Sequence, residues 1–157
     1  MRIAEGGLSD PLVIALLQTH VMRARAETAV GSAHALDLSG LAAPGISFWT
    51  IWEGDALLGC GALKVLAAGH GEVKSMHVAE AARGRGVGRL MLRHIMDVAR
   101  ARGMARLSLE TGAWAYFAPA RALYARHGFV VCEAFAPYVA DANSVFMTVR
   151  LGHGAQH

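Results

Sequence analysis

The spacing of apolar and polar positions changes period several times along this chain, and each change marks an element. From residue 11 onward, Leu12, Val13, Leu16, Leu17, His20 and Val21 recur at three- and four-residue intervals, which predicts a helix to about residue 26. Ser9-Asp10-Pro11 precedes it, with a carboxylate able to cap and a proline suited to the first helical position. Residues 46–52 (ISFWTIW), 57–65 and 72–78 are rich in β-branched and apolar residues and are separated by turn residues at 53–55 and 67–71. They predict three consecutive antiparallel strands. Gly59 and Gly61 inside the second of these point to a bulge or a close backbone approach. Val87, Leu90, Met91, Ile95 and Val98, with His94 in the same stripe, restore the helical period up to Gly103, a C-cap residue. Residues 105–109 form a strand. A helix crosses over before it, so it should lie parallel to 72–78. A helix at 119–127, stopped by Gly128, and strands at 129–133 and 144–150 complete the run.

Two stretches read less simply. Residues 1–8 predict a short first strand with Ile3 inward, broken by Gly6-Gly7. Residues 28–44 are dominated by small residues and punctuated by glycine and proline. A short helix from His34-Ala35-Leu36 and a role as a lid are the expectations there. The order β-α-α-β-β-β-α-β-α-β-β predicts an α/β fold, with helices on both faces of a mixed sheet.

Between strand 72–78 and its helix lies Arg83-Gly84-Arg85-Gly86-Val87-Gly88-Arg89. Strand, glycine turn and helix together make an anion site. Glycine lets backbone approach a ligand closely, the first helical N–H groups have no partner within the helix, and the helix dipole favours negative charge there. Arg83, Arg85 and Arg89 add charge that can fork onto phosphate oxygens. We read the segment as a pyrophosphate cradle. It lacks the Gly-Lys-Ser/Thr of a P-loop and the last glycine of a Rossmann fingerprint, and the chain is short for a kinase.

Bulk composition narrows the classes. A length of 157 residues suggests one domain spanning 1–157. At 54% apolar and 17% charged, the chain is globular. The apolar run at 12–17 is far too short to cross a bilayer, and Met1-Arg2 leads into no signal-type segment, so a cytoplasmic protein without membrane association is expected. Cys60 and Cys132 lie in apolar, strand-like context and are expected as buried, reduced thiols. The net charge is +3, much of it arginine between 83 and 106. Without interleaved aromatics or a known reading module this does not suggest nucleic acid. A local patch around one phosphate-rich cofactor accounts for it. His70-Gly71-Glu72 is followed by no P-C-x-x-C, so a zinc site of the deaminase type, or any other metal, is not expected.

Arg83-Gly86-Gly88 after a strand ending in His77-Val78 resembles the R-x-x-G-x-G loop of the GCN5-related N-acetyltransferases, the GNAT family. Ala122 to Phe129 (ALYARHGF) is similar to the family's L-Y-x-x-x-G-F signature. The resemblance is firm from about residue 59 to 129. It is nearest to uncharacterised bacterial members with an LSLETG strand end (107–112 here) and a late NSVFMT strand (143–148 here). It implies the GNAT fold, a mostly antiparallel sheet with one parallel central pair. It further implies acetyl-coenzyme A as acyl donor and an amine acceptor, either a small molecule or a peptide end.

Such a transfer needs a neutral amine, donors for a tetrahedral oxyanion and an acid for the leaving thiolate. The resemblance implies backbone N–H groups at Met76, His77 and Val78 for the acyl and pantetheine groups, the loop residues Arg83 to Arg89 for the pyrophosphate, and Tyr124 as the acid. For the base it points to Glu72, with Glu110, His77 or ordered water as alternatives. His77 falls on the face opposite Glu72 unless a bulge intervenes. Pro119 stands where many members carry an asparagine that contacts the cofactor. Acidic residues Glu72, Glu110 and Asp141 suggest a cationic acceptor. The rival readings are a non-catalytic acyl-coenzyme A-binding module and a Rossmann-type nucleotide binder. Homodimerisation through an exposed strand edge is a further expectation.

Overall fold

The computed structural model describes the backbone of residues 1–27 and 38–152 and the side chains of 1–19 and 40–152. Among the described residues seven strands form one sheet: β1 (Arg2–Glu5), β2 (Ile46–Glu53), β3 (Ala56–Ala67), β4 (His70–Val78), β5 (Arg106–Gly112), β6 (Val130–Cys132) and β7 (Ser144–Arg150). Their spatial order is β1-β2-β3-β4-β5-β7-β6. Every pair is antiparallel except β4 with β5, as the helical crossover between them predicts. The helices are α1 (Pro11–Glu27), α2 (Leu38–Leu41), α3 (Val87–Ala101) and α4 (Ala118–Arg126). A helix starting at His34 lies outside the described residues.

Each face of the sheet buries a separate apolar cluster. On one, Val13 and Leu17 of α1 and Leu41 of α2 pack on Phe48, Cys60 and Ala62. On the other, α3 and Tyr124 of α4 pack on Trp49, Ile51, Leu63 and Val73. Alternation along β2 and β3 sends successive residues to opposite faces, so one stretch of sequence feeds both clusters. The buried stripe of α3 is Val87, Met91, Leu92, Ile95, Met96 and Ala99. It is rotated from the expected one, with Leu90, His94 and Val98 only partly covered. Leu12, placed in the stripe of α1, is exposed. Cys132 is half-buried rather than buried, because β6 is an edge strand whose other two residues, Val130 and Val131, lie in solvent.

The strand glycines have the role their placement suggested. A Cβ on Gly61 would come within 2.6 Å of Met91 Cγ and 3.0 Å of Ile95 Cδ1. On Gly59 it would come within 2.8 Å of the His77 carbonyl and of Val87 Cγ1. Helix α3 therefore lies directly on the backbone of β3, which seats its N-terminus beside the end of β4.

Candidate functional site

The parallel ladder between β4 and β5 is short. It pairs His70, Gly71 and Glu72 with Arg106, Leu107 and Ser108 and then stops. Beyond it β4 stays on β3 as far as Val78, while β5 stays on β7 as far as Gly112. The sheet therefore splits between its two central strands, leaving the inner edges of both arms without a strand partner. The cleft that results has a volume of about 900 Å³ and is lined by residues 72–78, the loop before α3, residues 110–112 and one side of α4.

A bulge shapes the arm on β4. Lys74 lies opposite Ala62 and His77 opposite Cys60, so Ser75 and Met76 together face Gly61. Ser75 absorbs the extra residue in the left-handed region at φ +54°, a costly conformation for a residue with a Cβ. The Cys60 thiol donates to the Ser75 carbonyl at 3.3 Å. The bulge reverses the alternation after it. His77 consequently shares the face of Glu72 and Lys74, the reverse of what uninterrupted alternation predicts.

At the open end of β4 the chain turns into the glycine loop. Gly86 caps α3 with φ +80° and no side-chain hydrogen bond, and the helix begins with Leu90 N–H donating to the Gly86 carbonyl at 3.0 Å. The N–H groups ahead of Leu90 are left for a ligand. A Cβ on Gly84 or Gly86 would meet nothing within 4 Å. That open space beside a helix N-terminus suits a pyrophosphate, so the residues fit the expected donor. Arg83 and Arg89 line the cleft with no partner among the described residues. Arg85 does not line it. Its guanidinium forks onto Glu53 at 2.9 and 2.8 Å, so its side chain braces the loop against the β2–β3 turn rather than facing the cradle.

Tyr124 comes from the last turn of α4. The helix ends in a Schellman motif: Phe129 N–H donates to the Tyr124 carbonyl at 3.1 Å and Gly128 N–H to the Ala125 carbonyl at 3.1 Å. Gly128 takes φ +92°, and the chain folds back so that the Phe129 ring packs 5.8 Å from that of Tyr124. The L-Y-x-x-x-G-F spacing thus fixes the tyrosine to the core. Burial pushes its hydroxyl well above the ordinary phenol value, so it remains a proton donor. Among the described residues it has no hydrogen-bond partner.

Where the two strands part, Glu72 is 1% exposed. Its Oε2 accepts from the Tyr138 hydroxyl at 2.6 Å and from Lys74 Nζ at 3.1 Å. Lys74 Nζ also donates to the Tyr138 oxygen at 2.6 Å. Glu72 Oε1 is buried without a partner. Tyr138 is held by ring contacts with Phe135 and Phe146, and burial together with the Glu72 carboxylate pushes its hydroxyl up. Glu110 accepts from the Ser144 hydroxyl at 2.8 Å. Lys74 is the site residue that sequence reasoning missed. The E-x-K spacing on a strand, which puts both charges on one face, was the available signal. Among the described residues no group of three His, Cys, Asp or Glu could hold a metal, and no described helix is long and apolar enough to cross a membrane.

A sheet opened between its parallel pair, a glycine loop at a helix N-terminus and a buried tyrosine lining the same cleft are the features of an acyl-coenzyme A-dependent acyltransferase. The chain belongs to the GNAT family of acetyltransferases, whose profile matches residues 17–129. It is 47% identical over 151 residues to an uncharacterised N-acetyltransferase, YsnE, of Bacillus subtilis, covering 96% of this chain and 100% of that one. A putative acyl-coenzyme A N-acyltransferase from Klebsiella pneumoniae superposes with a TM-score of 0.76 at 31% identity, covering 96% and 97% of the two chains. A Mycobacterium tuberculosis protein, Rv2747, solved with coenzyme A, shares the fold with a TM-score of 0.69 at 21% identity and 96% and 99% coverage. The protein is an N-acyltransferase, and acetyl-coenzyme A is the donor its family uses.

Proposed function

We propose that the protein moves the acetyl group of acetyl-coenzyme A to a primary amine by direct attack. The observation that carries this is the split sheet, whose β4 arm offers strand backbone to a bound chain just below the glycine loop. The donor supplies an activated thioester, and the chain's own residues do the rest. Arg83, Arg89 and the first N–H groups of α3 take the pyrophosphate. Backbone N–H groups at Met76 to Val78 orient the acyl carbonyl. Tyr124, kept protonated by burial, gives its proton to the departing sulfur. Glu72, with one oxygen unpartnered, takes the proton of the amine.

Direct attack is favoured over an acyl-enzyme by the state of Cys60. This thiol lies across the ladder from His77, but burial pushes it up to about 12, and a thiol rather than a thiolate is a poor nucleophile. The test is release of free coenzyme A in the presence of a panel of amines, with the acetylated product identified by mass. Amine-dependent release supports transfer. Acetyl-coenzyme A binding with no release for any amine would favour a non-catalytic binding module.

A further inference from the structure

We infer that the acceptor is a free α-amino acid, recognised as a zwitterion by Glu72 and Lys74. This rests on the transferase reading above and narrows its acceptor. Lys74 carries three N–H donors, and among the described residues two are used, one on Glu72 and one on Tyr138. Glu72 has four lone-pair positions, and both its donors sit on Oε2. The pair thus leaves one acceptor, Oε1, and one donor on Nζ. Both belong to buried or nearly buried groups, with side chains 2% and 12% exposed, and both residues line the cleft.

A buried carboxylate oxygen with no partner calls for a donor in the working complex. A bare amine would meet that need, but it would bring its positive charge against the Lys74 ammonium and leave the last lysine donor unpaired. An acceptor bearing an ammonium and a carboxylate satisfies both groups at once. The spacing selects an amino acid with both groups on one carbon. Nζ stands only 3.1 Å from Oε2, so the free donor and Oε1, on the same carboxylate, are close neighbours. Tyr138 holds the arrangement by accepting from Lys74 and donating to Glu72. The acidic residues Glu72, Glu110 and Asp141 suggested a plain cation; the Lys74 ammonium beside Glu72 replaces that with a dipolar ligand.

The experiment compares the proteinogenic amino acids with their amides and their decarboxylated amines, at saturating acetyl-coenzyme A, by thiol release. At least one amino acid should exceed its amide and its amine in kcat/KM by roughly tenfold or more, the size expected when a buried polar group is left unpaired. Lys74→Met should collapse that ratio toward one, and Lys74→Arg should keep most of it. Amides or amines used as well as the amino acids by the unaltered protein would overturn the inference and leave amine acetylation standing. Turnover of no compound, with acetyl-coenzyme A still stabilising the protein, would overturn both.

Discussion

Tyr124 shows how burial sets chemistry at one residue. A phenol enclosed by apolar neighbours keeps its proton at any pH the protein meets, which suits the donation to a thiolate proposed for it. Tyr124→Phe removes the hydroxyl and keeps the ring that packs on Phe129. We expect coenzyme A affinity within about twofold of the unaltered protein and turnover lower by roughly a hundredfold or more, read by binding calorimetry and steady-state kinetics. Unchanged turnover would remove Tyr124 from the mechanism. Burial also has a pH consequence. The Cys60 thiol rises from 9.0 to about 12 on folding, so between those values the unfolded chain binds fewer protons than the folded one. By linkage, stability contributed by the neutral thiol is intact below about pH 9 and falls as pH rises toward 12. The buried phenols of Tyr124 and Tyr138, raised in the same direction, act with the same sign. The melting midpoint should therefore decline above pH 9, and Cys60→Ala should lessen that decline. A flat profile to pH 11 would contradict the burial of these groups.

Among the elements, the loop and helix α3 carry the clearest prediction. Gly86→Asp forces a side chain into the left-handed region, at a cost of about 1–2 kcal/mol, and puts negative charge where the pyrophosphate should sit. Nothing lies within 4 Å of the added Cβ, so the fold should survive while coenzyme A binding weakens by about tenfold or more. Retained affinity, measured by calorimetry, would count against the cradle.

This loop was legible in the sequence because glycine spacing, arginines and a following helical period all occur within one short segment. The strand glycines were legible for a similar reason, since Gly59 and Gly61 interrupt an apolar run. The bulge at Ser75 was not legible. It lies at no glycine, and only the register against β3 reveals it, so the face of His77 stayed conditional on whether a bulge intervened. Residue pattern alone ended β5 at residue 109; the resemblance's LSLETG strand end reached Gly112, where the pairing depends on β7. The Glu72–Lys74–Tyr138 cluster joins residues far apart in sequence, and Tyr138 arrives on a loop whose path no periodicity encodes.

For the whole molecule, function follows from a sheet that is continuous at its closed end and divided at its open one. The two arms are fixed by different partners, β4 by β3 and α3, and β5 by β7. The cleft thus follows from the strand pairing itself. It places the glycine loop at the end of one arm, the tyrosine helix alongside, and a charged pair at the vertex. Whether this cleft takes acetyl-coenzyme A can be read from thermal unfolding. Acetyl-coenzyme A at about one hundred times its dissociation constant should add about 2.7 kcal/mol to the folded state and raise the midpoint by roughly 2–8 °C. NAD and ATP at the same concentration should move it far less. A shift with NAD or ATP and none with acetyl-coenzyme A or coenzyme A would mean that the cleft is not an acyl-coenzyme A site.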